Sequence, residues 1–131
     1  MSGTAPDIDA IARMGEAALK EIPPELAQHC QGVLIRVAEF AEPDVLRDLG
    51  IEDPFELTGL YQGVALPYRS VSDGSGEPDC VWLYRRPILD YWVESGETLE
   101  RLVSHVLVHE IGHHFGFSDD DMDAIESTEA N

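Results

Sequence analysis

The residues best suited to chemistry in this sequence are His109, Glu110 and His113, which form the pattern H-E-x-x-H. Two histidines four residues apart on a helix lie on one face, roughly 6 Å apart, so both imidazoles can reach a single metal ion. The carboxylate of Glu110 then flanks the ion, where it can accept a proton from water. This spacing is typical of two zinc ligands with a general base.

A third ligand is expected shortly after this helix. Gly116 permits a left-handed turn that returns the chain towards the ion, and Ser118, Asp119, Asp120 and Asp121 follow it. We favour Asp119, which extends the pattern to H-E-x-x-H-x-x-G-x-x-D. Three protein ligands plus water are typical of catalytic zinc, whereas structural zinc sites are usually closed by four protein ligands.

The acidic segment also has an alternative interpretation as the start of a last helix. Ser118 followed by Asp121 fits a capping box, and Asp119 and Asp120 would then complement the helix N-terminus. The sequence does not decide between Asp119 and its two neighbours as the ligand.

Two further histidines belong to the same helix. His105 lies one turn before His109 on the same face, and we interpret it as a packed or supporting residue rather than a ligand. His114 points about 100° away from His113 and is not expected to bind the metal.

The motif lies in residues 97–115, which read as a helix of about five turns. Glu97 and Glu100 are placed in the first turn, and Gly116 follows the last. Apolar residues surround the axis almost completely, which predicts a buried central helix. Glu110 is the only charge after Arg101, and a carboxylate in such a helix is costly unless it is paired, hydrogen-bonded or facing a metal.

The elements that must position this helix are short. We predict a helix over 7–22 that ends before Pro23, a strand over 33–40, and a helix over 43–50 that ends at Gly50. Next come a strand or hairpin within 53–67, a polar loop over 70–79, a strand over 81–86 and a short helix opened by Pro87. These predict one α+β domain over residues 1–131, with a helical extension at 1–32 and a core at 33–126.

Several residues are assigned to packing rather than to chemistry. The aromatic residues expected in the core are Trp82, Tyr84, Tyr91 and Trp92. Cys30 and Cys80 are expected to be reduced and buried, and neither has the spacing of a zinc ligand.

The net charge of −18, from 26 acidic and 8 basic residues, argues against nucleic acid as a partner. Arg85 and Arg86 are the only adjacent basic residues, and we interpret them as solvated or ion-paired at a strand end. No secretion signal or membrane-spanning stretch is recognised, so we expect a cytoplasmic protein without a membrane partner. The oligomeric state is left open.

At these residues the sequence resembles the small bacterial predicted zinc metallopeptidases of minimal zincin type. The resemblance covers roughly residues 33–126 and rests on three segments: DPFELTGLYQGVAL, VWLYRRPILDYW and HEIGHHFGFSDDD. It implies a small mixed sheet, a central active-site helix and a C-terminal helix after the glycine turn. It also implies a bacterial source. Met122 follows Asp119 too soon to form the methionine-bearing turn of metzincins.

We therefore predict a zinc metallopeptidase that binds one zinc ion per chain through His109, His113 and Asp119. Glu110 would act as the general base in the hydrolysis of peptide bonds. The substrate would be a peptide or small protein, and the strand over 81–86 is expected to be an edge to which an extended peptide adds.

The residue that stabilises the oxyanion is left open among Tyr84, Arg85 and Tyr91. Two other functions also remain open. One is a zinc-binding interaction module without turnover, and the other is a zinc amidase or deacylase that acts on a small molecule.

Overall fold

The computed structural model describes residues 5–28, 30, 32–63 and 79–116. Its elements in chain order are helix α1 (Ile8–Lys20), helix α2 (Pro24–Ala27), strand β1 (Leu34–Ala38), helix α3 (Pro43–Leu49), a 3₁₀ turn (Pro54–Glu56), strand β2 (Gly59–Gln62), strand β3 (Cys80–Tyr84), helix α4 (Arg85–Ser95) and helix α5 (Leu99–His114). The architecture is α+β, as the sequence predicts. The expected C-terminal helix and Asp119 lie outside the described residues.

The three strands form a mixed sheet in the order β1-β3-β2. Strands β1 and β3 are parallel, with Leu34 opposite Cys80, while β2 runs antiparallel to β3, with Gly59 opposite Leu83. Strand β3 is therefore paired along both sides. The prediction that this strand is a free edge for peptide binding is wrong, because β1 and β2 already occupy both of its edges. Both partners come from segments distant in sequence, so the local pattern did not reveal the pairing.

Helices α1 and α5 pack on one face of the sheet and enclose the core. Ile11 of α1, Leu83 of β3 and Leu107 of α5 are each fully buried. Side chains alternate along a strand, so Trp82 and Tyr84 lie on the opposite face, where their rings stack with centroids 6.3 Å apart. The apolar side chains of α5 thus pack in the core and hold this helix against the sheet.

Most helix ends follow from local sequence. Asp7 caps α1 by accepting a hydrogen bond from the backbone N–H of Ala10 at 2.8 Å, and Gly50 ends α3 with φ 71°. Helix α4 differs from the prediction because it begins at Arg85, so Arg85 and Arg86 do not belong to the strand. Pro87 is its third residue, where a missing N–H is tolerated because first-turn amides have no partner within the helix.

The aromatic and cysteine predictions hold in part. Cys30 and Cys80 are not joined in a disulfide bond, and both are buried, as expected. Tyr84 is buried, and Trp92 is partly buried against the core. Tyr91 is 57% exposed, so its assignment to the core is wrong. None of the helices in the described part of the chain is long and apolar enough to cross a membrane.

Candidate active site

Helix α5 is fixed at both ends by the residues around it. Thr98 caps its start by accepting a hydrogen bond from the backbone N–H of Arg101 at 3.2 Å. Glu97 therefore precedes the helix, and Glu100 is the carboxylate in the first turn. Gly116 follows the helix with φ 90°, the left-handed conformation that the sequence predicts. The chain thus leaves the helix in the conformation needed to reverse direction.

His109, Glu110 and His113 line one cavity of about 240 Å³. The rings of the two histidines have centroids 5.5 Å apart and lie almost perpendicular, at 89°. The other residues that line this cavity are Thr58, Tyr91, Leu102, His105 and Val106. The H-E-x-x-H pattern is thus gathered at a single concave surface.

The two remaining histidines of the helix have different environments. The ring centroid of His105 lies 4.1 Å from that of His109, and His105 also lines the cavity. His114 instead stacks on Tyr61 of β2 with centroids 3.9 Å apart. His114 therefore contributes to packing between α5 and the sheet, while His105 lies beside the motif.

Glu110 is the titratable group that the fold perturbs at this site. Burial raises the pKa of its carboxyl group above the ordinary value, whereas the electrostatic interaction with His113 and a hydrogen bond donated by the backbone N–H of Tyr61 lower it. Burial has the largest effect, so the net pKa is raised. A carboxyl group whose pKa moves towards neutrality is better matched to accepting and returning a proton.

This pKa shift predicts that Glu110 lowers the stability of the metal-free chain at neutral pH. Below the ordinary pKa, Glu110 is protonated in both folded and unfolded states. As pH rises through the raised folded pKa, ionisation favours the unfolded state. In chelator-treated protein, Glu110→Gln should therefore gain stability over the wild type as pH rises from about 4 to 7. Thermal unfolding at several pH values measures this, and a difference that does not vary with pH contradicts it.

Strand β2 is held against α5 by a close approach at Gly59. A Cβ added at Gly59 would lie 2.8 Å from Cγ1 of Val106, 3.0 Å from the carbonyl oxygen of Trp82 and 3.4 Å from Cγ of Glu110. Any side chain here would push β2 away from the helix at the level of the motif. Glycine is thus needed for the strand to support Glu110.

We expect Gly59→Ala to lower the free energy of unfolding by about 1–3 kcal/mol through overpacking. Gly15→Ala is the matched control, because its added Cβ would meet Leu83 at 2.8 Å and Ile35 at 2.9 Å on the other side of the core. Both variants should lose stability in denaturant titration, but only Gly59→Ala should also impair activity. Equal activity in the two variants would show that β2 does not position Glu110.

Thr58 lines the cavity but was not identified as a site residue from the sequence, whereas Tyr91 was named only as one of three candidates to stabilise the oxyanion. Thr58 precedes β2, where its carbonyl oxygen accepts a hydrogen bond from the N–H of Tyr84 at 2.9 Å. Tyr91 lies on α4 and reaches the cavity from the other side. Tyr91 follows the buried Ile88 by three residues, a spacing that places both on one face of a helix. The sequence pattern therefore predicted a buried Tyr91 and did not indicate that its side chain is exposed.

The two arginines after β3 are engaged away from the cavity. Arg85 pairs with Glu39 at 2.9 Å, and its Nε donates a hydrogen bond to the carbonyl oxygen of Pro6 at 2.7 Å. The guanidinium of Arg86 lies over the ring of Phe40, 5.9 Å from its centroid. Neither arginine is among the residues that line the cavity.

The donor set at this site suits zinc. Among the described residues, no group of three histidine, cysteine or carboxylate side chains could hold a metal ion. The two imidazoles of His109 and His113 are ligands that zinc prefers, and they share one cavity with a carboxylate. The third predicted ligand, Asp119, lies outside the described residues.

Comparison with known protein families gives one match of wide extent. The model of a family described as zincin-like metallopeptidase matches residues 30–129, which are 100 of the 131 residues. The matched region includes β1 to β3, the whole of α5 and the acidic segment after Gly116. No curated protein matches the chain.

Proposed function

Because the chain belongs to the zincin-like metallopeptidase family, we propose that it is a zinc-dependent peptidase with Glu110 as its general base. The observation that carries this proposal is the single cavity lined by His109, Glu110 and His113. The cavity thus holds the proposed base and two of the three protein ligands that catalytic zinc typically has.

In this proposal His109, His113 and Asp119 hold one zinc ion per chain. When bound, zinc lowers the pKa of water towards neutrality and polarises the carbonyl group of the substrate. Glu110 accepts a proton from the attacking water and passes it to the leaving amine.

We propose that the peptide lies along β2 rather than along β3. Within the described strands, β2 is at the edge of the sheet nearest Glu110, since Gly59 approaches the Glu110 side chain and the Tyr61 N–H donates to its carboxylate. An extended peptide can add to such an edge by backbone hydrogen bonds. The scissile bond would then lie beside the cavity.

The test of this function is exposure of the purified chain to a mixed peptide library, with and without a chelator, read by mass spectrometry. We expect cleavage that stops with the chelator and returns when zinc is added. Zinc binding without cleavage of any peptide would instead support an interaction module. Hydrolysis confined to small acylated amines would support an amidase or deacylase.

The third ligand can be tested separately among the three consecutive aspartates. We expect Asp119→Ala to weaken zinc binding much more than Asp120→Ala or Asp121→Ala, because the turn at Gly116 should return one carboxylate to the ion. Zinc titration of the three variants gives the comparison. Equal losses in all three would favour a helix-capping role for the segment.

A further inference from the structure

The proposed hydrolysis requires a group that the sequence leaves undecided. When water attacks the scissile carbonyl, the carbonyl oxygen gains negative charge, and a hydrogen-bond donor placed at that oxygen speeds the reaction. The candidates are Tyr84, Arg85 and Tyr91. Their positions in the fold differ enough to separate them.

Tyr84 and Arg85 are unsuited to this role. Tyr84 is 3% exposed, its ring stacks on Trp82, and it does not line the cavity, although burial and, to a smaller degree, the charges of Cys80 and Glu110 raise its pKa. The guanidinium of Arg85 is already bound to Glu39 and to the backbone of Pro6. Moving either side chain to the cavity would break contacts that hold the fold together.

Tyr91 lies where two cavities meet. It lines the cavity that holds His109, Glu110 and His113, and it also lines a larger one of about 1080 Å³ between α5, the end of α4 and the segment around Ile22. Leu102 and His105 line both cavities as well, so a peptide that extends from the larger cavity to Glu110 would have Tyr91 on one side. Its side chain is 57% exposed, which leaves it accessible to such a peptide.

The backbone of α4 around Tyr91 is held in place by contacts of the residues before and after it. Pro87 and Ile88 bury the start of the helix, and Trp92 Nε1 donates a hydrogen bond to the carbonyl oxygen of Glu97 at 3.1 Å. The backbone that carries Tyr91 is thus anchored to the core and to the loop before α5. Such anchoring allows a donor to be oriented before the substrate arrives.

Two other polar side chains of the cavity, Thr58 and His105, are weaker candidates. Thr58 has a short side chain and an aliphatic hydroxyl, which is a poorer donor than a phenol. His105 packs its ring against that of His109.

We infer that Tyr91 donates a hydrogen bond to the carbonyl oxygen of the scissile peptide bond as negative charge develops on it, an inference that rests on the proposed function. The water oxygen forms a bond to the carbonyl carbon, and the π electron pair of the carbonyl moves onto its oxygen. Glu110 takes the proton from water. When the carbonyl re-forms, the C–N bond breaks and this proton goes to the amine, while Tyr91 keeps its own proton throughout.

The test is Tyr91→Phe in the zinc-loaded chain, assayed on the best peptide from the library. We expect kcat to fall by about 10²- to 10³-fold with little change in KM, because the lost hydrogen bond forms fully only in the transition state. Zinc content and thermal unfolding should be unchanged. Binding of a phosphinic analogue of that peptide, whose tetrahedral anionic group mimics the attacked carbonyl, should weaken in the variant, while binding of the product peptides should not.

Tyr84→Phe is the matched control, since it removes the same hydroxyl from a tyrosine that does not line the cavity, and its turnover should fall far less than that of Tyr91→Phe even though the charge of Glu110 acts on Tyr84. Thr58→Val tests the other hydroxyl. Wild-type kcat in Tyr91→Phe, or the large loss appearing in Thr58→Val instead, would overturn the role of Tyr91. The proposed function would survive that result if Glu110→Gln were still inactive. A wild-type chain that neither cleaves peptides nor binds the phosphinic analogue would overturn both.

Discussion

Replacing Glu110 by glutamine is expected to lower metal-dependent peptide hydrolysis by about 10²- to 10⁴-fold, the usual contribution of general acid-base catalysis. Glutamine has nearly the same size and shape as glutamate, so the packing against Gly59 should be kept. It cannot accept a proton from the attacking water. The loss should therefore appear in kcat, while the histidine ligands remain in place.

The matched control is Glu100→Gln, the same change on the same helix at an exposed position in the first turn. Its turnover should equal that of the wild type, and zinc content should be the same in all three proteins. Rates on one peptide, with metal analysis of each sample, decide the comparison. If Glu110→Gln retained the wild-type rate, the carboxylate would not be the base and the proposed mechanism would fail.

His109→Ala or His113→Ala is expected to remove most of the bound zinc, because each change takes one ligand from the proposed site of three. The loss should exceed the roughly 10- to 100-fold reduction in affinity that follows removal of a residue that only supports a ligand. Acidification should release zinc from the wild type as well, since a protonated imidazole cannot bind a metal.

His114→Ala provides the control on the same helix. It removes a ring that stacks on Tyr61 rather than one that lines the cavity, so it should lower thermal stability and leave zinc content unchanged. Zinc per chain after dialysis, measured by elemental analysis, distinguishes the variants. Full zinc occupancy in both His109→Ala and His113→Ala would place the metal at other residues.

The sequence was informative about features that depend on neighbouring residues alone. Backbone hydrogen bonds within a helix bring residues four apart to one face, so the spacing of His109 and His113 predicts that they share a site wherever the helix lies. The ends of α3 and α5 were predictable for the same reason, because Gly50 and Gly116 adopt the left-handed conformation that ends a helix. The apolar residues on almost all sides of α5 likewise predicted that this helix is buried.

The boundary between β3 and α4 shows the limit of such reasoning. Residues 81–86 look like one strand in sequence, yet Arg85 and Arg86 already belong to the helix. Arg85 is held there by Glu39 and Pro6, and the Arg86 N–H donates to the carbonyl oxygen of Glu39 at 3.1 Å. These contacts with distant segments therefore end the strand two residues earlier than the sequence predicts. Pro87, which was predicted to open α4, is instead the third residue of that helix.

The sequence by itself thus determined the α+β class, the buried helix that carries the candidate site and the placing of His109, Glu110 and His113 on it. Only the tertiary structure decided that β3 is the central strand, that β2 lies against Glu110, and that Tyr91 is exposed at the cavity. Helical spacing is set by hydrogen bonds between residues a few positions apart. Strand order and side-chain exposure instead depend on which distant segments pack together, and no local pattern in the chain encodes that choice.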